Sequence, residues 1–201
     1  MDALTCTDEV LAQSASQGNR EAFDSLVRRY QFKAVSVAQG VLGNLELAKD
    51  ASQNAFAKAY FGLKGFRGDS KFKTWFYRIL VNEAKDVLRK EKARGLFRFW
   101  KEAEDEEGET ESILEAIPSG GRSPKEEVEV QETRARLEHA IRQIPNMERE
   151  VFILRYFQDL PLSEVAEVLG IAVGTVKAHL AHGSAKLKLM LKESAGQSQS
   201  K

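Results

Sequence analysis

The sequence predicts an all-α protein made of two small helical domains joined by an acidic, flexible linker. Three observations predict it. Apolar residues recur every third or fourth position through most of the chain, and no stretch alternates as a half-buried strand does. Gly, Asn, Ser and Pro interrupt that periodicity at helix-length intervals. Charge is also segregated: 30 Lys and Arg balance 30 Asp and Glu over 201 residues, but not locally. Phe66 to Arg94 carries nine cations and four acids, a net +5, whereas Gly95 to Val130 carries four cations and eleven acids, a net −7. Adjacent blocks of opposite sign point to separate tasks. The boundaries read as a first domain over 1–94, a linker over 95–123, a second domain over 124–193 and a disordered tail over 194–201.

Asp8 to Gln17 reads as a short helix closed by Gly18. Asn19 then caps a helix with Phe23, Leu26, Val27, Tyr30, Ala34, Val37, Ala38 and Val41 on one face. Gly43-Asn44 breaks it, and Asn44 caps a third helix whose Leu47, Ala51, Ala55 and Ala59 let a neighbour approach closely. A glycine-punctuated loop from Gly62 to Gly68 leads to a fourth helix, with Ser70 as its N-cap. The first 94 residues thus read as a four-helix bundle. Within the linker, Leu96, Phe97, Phe99 and Trp100 form an aromatic cluster that packs on the end of the basic helix or anchors a partner.

Ser123-Pro124-Lys125-Glu126 opens the second domain as cap and first helical turn, in a helix that runs to Ile144. Asn146 caps a further helix that Leu160-Pro161-Leu162 ends, and Ser163 caps a short one that Gly170 closes. The last helix runs from Val173 to Leu191. Ala166, Gly170 and Val176 have the spacing of a helix-turn-helix: a small residue at the crossing, a residue tolerant of positive φ in the turn, an apolar plug between the helices. Val176, Leu180, Leu187 and Leu191 face inward, while Thr175, His179, His182 and Lys186 face outward, where a recognition helix reads the major groove.

Composition excludes several classes. A hydrophobic content of 42% supports real cores, but no apolar run approaches the roughly 18 residues of a membrane span. The first residues, MDALTCTDEV, have neither the basic segment nor the apolar run of a secretion signal. The expectation is a cytoplasmic protein with no direct membrane insertion. One cysteine, Cys6, leaves no internal disulfide and no Cys-rich zinc site. No phosphate-binding glycine loop, H-E-x-x-H or G-x-S-x-G motif is present, so no enzyme, cofactor or metal is expected.

The fourth helix carries the most chemistry. Lys71, Trp75, Arg78, Asn82, Lys85, Arg89 and Lys92 fall on one face, five cations with an aromatic and an amide. Phe72, Phe76, Ile79, Leu80, Val87 and Leu88 form the apolar side. Cations suit a phosphate backbone, and an aromatic suits an unstacked base.

These residues carry a resemblance. FRGDSKFKTWFYRILVNEAKDVLRK resembles the basic segment of region 2 of extracytoplasmic-function sigma factors, and DASQNAFAKAY the segment before it. IRQIPNMEREVFILRYFQDLPLSEVAEVLGIAVGTVKAHL is similar to region 4. The resemblance implies a promoter-specificity subunit. Its partners would be the RNA polymerase core, promoter DNA and an anti-sigma factor, which in this family is commonly membrane-bound. Carried over by position, Asp50, Gln53, Asn54 and Phe56 would dock the polymerase. Phe66, Arg67, Ser70, Lys71, Phe72, Trp75, Arg78, Asn82, Lys85 and Arg89 would open and hold the −10 element. Thr175, Lys177, Ala178, His179, His182 and Lys186 would read the −35 element. The acidic linker would thread the polymerase channel.

Two departures stand out. Asn54 occupies a position where the family commonly has Glu, and Ala178, His179, His182 and Ser184 replace a serine and three arginines. A bidentate Arg–base contact gives roughly 1–3 kcal/mol of discrimination, and Gly183 costs a helix interior roughly 1 kcal/mol. Two alternative readings stand beside this one: a stand-alone regulator, because the C-terminal sequence also resembles the DNA-binding domain of LuxR-type regulators, and a decoy that titrates an anti-sigma factor, which the arginine-poor recognition helix motivates. If the histidines stand in for the arginines, −35 affinity should strengthen as pH falls below about 6.5, where imidazole gains its charge. Equal affinity at about pH 5.5 and about pH 8, measured by fluorescence anisotropy, would remove histidine from the readout.

Overall fold

Four helices open the chain because three polar caps, at Thr7, Asn19 and Asn44, and the left-handed glycines Gly18, Gly43 and Gly68 divide it. The structure, a computed structural model, describes residues 6–93 and 124–198. Thr7 Oγ1 accepts from the Val10 N–H at the head of α1 (Asp8–Ser16). Asn19 Oδ1 does the same for Ala22 at α2 (Arg20–Leu42), and Asn44 Oδ1 for Leu47 at α3 (Leu45–Gly62). These bonds satisfy amide donors that a helix start leaves unpaired. A 3-10 turn, Leu63–Gly65, follows α3, and α4 spans Phe72–Ala93. The Trp75 N–H donates to the Lys71 carbonyl at 3.0 Å, so helical bonding begins at Lys71 and not at the expected cap, Ser70.

The second half comprises α5 (Pro124–Gln143), α6 (Asn146–Phe152), a π-type turn (Ile153–Phe157), α7 (Leu162–Leu169) and α8 (Val173–Ser198). Two expected caps are corrected. Pro145 and Pro161 hold the cap positions of α6 and α7, where their fixed φ suits the entry. Asn146 instead accepts from Arg149 Nη2 at 2.8 Å, and Ser163 lies exposed inside α7. Gly170 ends α7 at φ 68°, the left-handed turn the spacing required. The final helix continues past Leu191 to Ser198, so the tail expected to be disordered over 194–201 is helical as far as 198; no proline interrupts it. The linker over 95–123, its aromatic cluster and the Ser123 cap lie outside the described residues.

All eight α-helices and the absence of strands among the described residues fit the all-α expectation. Ala48, Ala51, Ala55 and Ala59 are fully buried, forming the small-residue row along which α2 and α4 approach α3. On α4, Phe72, Phe76, Tyr77 and Leu80 are fully buried, and Tyr30 meets Phe72, Phe76 and Tyr77 edge-on at 5.6, 5.7 and 6.0 Å.

The two halves also pack on each other. Val151, Ile153, Leu154, Leu160, Val165, Val168 and Val176 belong to the same contiguous apolar core as the first four helices. A smaller cluster of Ala140, Ile141, Ile144 and Leu187 ties α5 to α8. The helix-turn-helix half therefore docks α7 onto α4 and α6 onto α2. Gly40 in α2 makes room for this: a Cβ there would meet Ile153 Cδ1 at 2.0 Å.

The alanine row yields a stability test. Ala55→Leu forces a branched side chain between packed helices and should cost about 1–3 kcal/mol, read as a lower urea midpoint at unchanged slope.

Candidate nucleic-acid interface

The site is built around the start of α4. After α3, the Phe66 N–H donates to the Leu63 carbonyl at 3.0 Å and turns the chain back. The Phe66 ring sits 5.0 Å from that of Trp75, and Trp75 sits 5.8 Å from Phe72. Gly62 lets the indole lie close across the end of α3, since a Cβ there would come within 3.2 Å of its ring. The result is a cup of about 230 Å³ lined by Gly65, Phe66, Arg67, Asp69, Ser70, Trp75 and Arg78. An aromatic floor with an Arg and a hydroxyl at its rim can stack a planar ring and hydrogen-bond its edge.

The cationic stripe leaves the cup along α4. Lys71, Arg78 and Lys85 are seven residues apart, two turns or about 10.5 Å of rise each. Asn82 and Arg67 are exposed, and Arg89 pairs with Asp86 one turn before it. Phe72 departs from the expected DNA-contacting set. It is fully buried, because it lies on the apolar face of α4 under Tyr30 and Phe76.

Carboxylates of the second half meet this stripe. Lys71 Nζ donates to Glu164 Oε1 at 2.8 Å, and Thr74 Oγ1 donates to Glu164 Oε2 at 2.7 Å. Glu167 lies 3.8 Å from Arg78, and Glu150 lies 3.1 Å from Lys85. Lys73 donates to the Gln158 carbonyl, and the Tyr77 hydroxyl donates to Gln158 Oε1 at 2.6 Å. The environments differ. Burial alone would raise the Glu164 carboxyl, but the bonds from Lys71 and Thr74 and the charges of Lys71 and Lys73 outweigh it and hold it below the ordinary value. For Glu150, burial dominates over Lys85, Arg149 and His179, and its carboxyl is pushed up. Burial likewise pushes the Tyr77 hydroxyl up, and it lowers the Lys73 ammonium, with help from Lys33.

The other expected surfaces divide. Asp50, Gln53 and Asn54 are exposed along α3, but Phe56 is half-buried and its ring lies 4.6 Å from Phe76. On α8, Thr175, Lys177, Ala178, His182 and Lys186 are exposed. His179 is not presented outward: it is half-buried, and its Nδ1 is buried without a hydrogen bond. Gly183 is buried, and a Cβ there would lie 3.1 Å from Glu148 Cβ, so the glycine is what lets α8 pass close to α6.

Thr74, Asp69 and Gly65 belong to the site although periodicity does not single them out. Thr74 sits one turn after Lys71 beside the stripe. Glu150, Glu164 and Glu167 reach it from more than 60 positions away in sequence, for which local pattern carries no signal.

Comparison with known proteins adds the family context. Residues 26–94 match the family model described as Sigma-70 region 2, and residues 134–187 match Sigma-70, region 4. The ECF RNA polymerase sigma factor SigW of Bacillus subtilis is 32% identical over 181 residues, 90% of this chain and 95% of the relative. The ECF RNA polymerase sigma-E factor of Escherichia coli K12 is 34% identical over 174 residues, 87% and 88% of the two chains. Among solved structures, CnrH in complex with the cytosolic domain of CnrY aligns at a TM-score of 0.65 and 24% identity, over 96% of this chain and 99% of that one. The sigma factor RpoE of Bartonella quintana, in complex with the anti-sigma factor NepR, aligns at 0.61 and 22% identity, over 85% and 96%. These two share the fold.

The opposed shifts predict an order of titration. In a carboxyl-detected NMR titration, Glu150 should take its proton above the ordinary value of 4.5 and Glu164 below it. Stability contributed by Glu164 is present above the ordinary value and lost as pH falls through its lowered one. Glu150 has the opposite sign, since its neutral form is the one the buried site favours. A reversed order would contradict the geometry.

Proposed function

The chain belongs to the extracytoplasmic-function branch of the sigma-70 family, and we propose that it directs the RNA polymerase core to particular promoters, in the cytoplasm and without catalysing a reaction itself. The observation that carries this reading is the aromatic cup at the head of a cationic helix. A base taken out of a duplex costs a few kcal/mol, roughly, and needs somewhere to stack once out. The cup is smaller than the roughly 300–1,000 Å³ of drug-sized sites, a scale that suits one planar base. We assign Phe66, Trp75, Arg67 and Ser70 to the flipped base. Lys71, Arg78, Asn82, Lys85 and Arg89 hold the phosphates of the same strand. Phe72 supports the cup from beneath.

In the same reading, 1–94 is the domain that melts the −10 element and 124–193 the one that reads the −35 element. Thr175, Lys177, Ala178, His182 and Lys186 face the duplex on α8, and His179 acts at its edge. Asp50, Gln53 and Asn54, with Phe56 behind them, form the polymerase-facing side of α3. The match over residues 26–94 leaves a stand-alone regulator without support, because such a protein needs no strand-opening helix. An anti-sigma factor is the expected inhibitor; the support is that RpoE, of similar fold, was captured with the anti-sigma factor NepR, and CnrH with the cytosolic domain of CnrY.

In vitro transcription with purified core polymerase tests this directly. Promoter-specific transcripts should appear with the native chain, fall by about tenfold or more with Trp75→Ala or Arg78→Ala, and persist with His139→Ala on the exposed face of α5. Core binding with no initiation from any promoter would contradict the proposal.

A further inference from the structure

We propose that Asp8, at the head of α1, is a positioning residue for the base-stacking cup: through the Tyr30 hydroxyl it fixes the ring of Phe72, on which Phe66 and Trp75 rest. This rests on the stacking role just assigned to the cup.

Three observations carry it. First, an unbroken line of contacts joins Asp8 to the cup. Asp8 Oδ2 accepts from the Tyr30 hydroxyl. The Tyr30 ring meets Phe72 edge-on at 5.6 Å, and Phe72 lies 6.3 Å from Phe66 and 5.8 Å from Trp75. Phe66 and Trp75 line the cup. Close-packed rings of this kind pass a displacement on to their neighbours.

Second, Tyr30 depends on Asp8. Tyr30 is 4% exposed, and a buried hydroxyl requires a partner. Burial pushes this hydroxyl's pKa up, and the bond to Asp8 and the charge of Asp8 push it further, so it stays a donor. The carboxylate is itself aimed: Asp8 Oδ1 accepts from Arg29 Nη1 at 2.7 Å, which leaves Oδ2 for Tyr30.

Third, α1 reaches the cup by a second route. Leu11, Ala12 and Ala15 are buried, and α1 packs on the 3-10 turn Leu63–Gly65 as well as on α4. Gly65 ends that turn, Phe66 follows it, and both line the cup. The floor is thus held through Tyr30 and Phe72, and the wall through the turn. Asp8 lies ahead of residues 26–94, so the match to region 2 does not include it.

The consequence is specific to stacking. A planar base gains most from rings already held in place, because ordering them on binding costs affinity. Arg78, Lys85 and Arg89, assigned to the phosphates, lie beyond Trp75 along α4. Loss of Asp8 should therefore weaken the hold on bases and spare the hold on phosphates.

Two probes separate these. One is a fluorescein-labelled short single-stranded DNA of randomised sequence, and the other is the same sugar-phosphate chain without bases. The protein is the full chain with Trp100→Phe, so that Trp75 is its one tryptophan. Binding is followed by anisotropy at low salt, and stacking by quenching of Trp75 emission. The variants are Asp8→Ala, Tyr30→Phe and the two combined, with helical circular dichroism recorded for each. Asp24→Ala, exposed on α2, matches the charge change of Asp8→Ala. The parent should prefer the base-bearing strand by about tenfold. Each single variant should keep its helical signal and its affinity for the abasic chain. Its preference for bases should fall to about threefold or less, with weaker Trp75 quenching. The combined variant should be no worse than either single one, because the pair acts as a unit. A preference that survives in both single variants, or an equal loss in Asp24→Ala, would overturn the positioning role and leave the cup's own role standing. So would an equal loss on both probes, or loss of the helical signal in both single variants. No preference for bases in the parent would overturn both.

Discussion

How closely Ile153 can approach α2 decides the relation between the two halves of this protein. Gly40 removes the one Cβ that would stand in the way, and the branched side chain then closes into the core of the first bundle. Burying an isoleucine contributes about 1.5–3 kcal/mol, more than any of the exposed ion pairs around it. The apolar contact therefore sets the position, and the polar contacts follow from it. Once Ile153 and Leu154 are seated, the turn at Gln158 falls over Tyr77 and Lys73, and α7 brings Glu164 and Glu167 along the stripe. Asp159, at φ 50°, is the one non-glycine residue among those described with a left-handed backbone; its short side chain tolerates the corner that redirects the chain into α7.

The zero net charge takes on meaning in this arrangement. A chain with a strongly basic helix and no acidic counterpart would attract nucleic acid everywhere. Here the compensating acids lie not only in the linker sequence but on α6 and α7, against the basic helix itself. Neutrality is thus local as well as global. Glu150 shows the limit of the device: it is buried deeply enough that Lys85 does not fully offset the loss of water. Glu164, less deeply buried and with two donors on it, makes the more favourable pair.

Most of the fold was legible because its signals are local. Asn19, Asn44, Gly43 and Gly170 stop and start helices by bonds or dihedrals confined to a few residues. The small-residue row on α3 and the apolar face of α4 follow from 3.6-residue periodicity alone. Where a local rule failed, another local rule had won: prolines at 145 and 161 took the cap positions that Asn146 and Ser163 could have filled. The cup was half legible. Phe66 and Trp75 stand out as aromatics in a polar stretch, but the part of Gly62 in seating the indole depends on where α3 ends relative to α4. Phe72 shows why a resemblance over a motif is not a contact map, since adjacent residues on a helix point about 100° apart.

What no local pattern carries is the pairing of one half with the other. Gly183 makes the point most sharply. From propensity it reads as a defect in a recognition helix, one glycine's worth of lost helical stability. In three dimensions it is the place where α8 passes within van der Waals distance of Glu148, and any larger residue would push the two helices apart. Gly40 is the same case between the halves. Two glycines in helix interiors, each unfavourable for its own helix, are what permit the close crossings that hold the second domain together and seat it on the first. The cost is local and the gain is long-range, so the helices that look weakest in the sequence are the ones whose positions matter most to the nucleic-acid surface they frame.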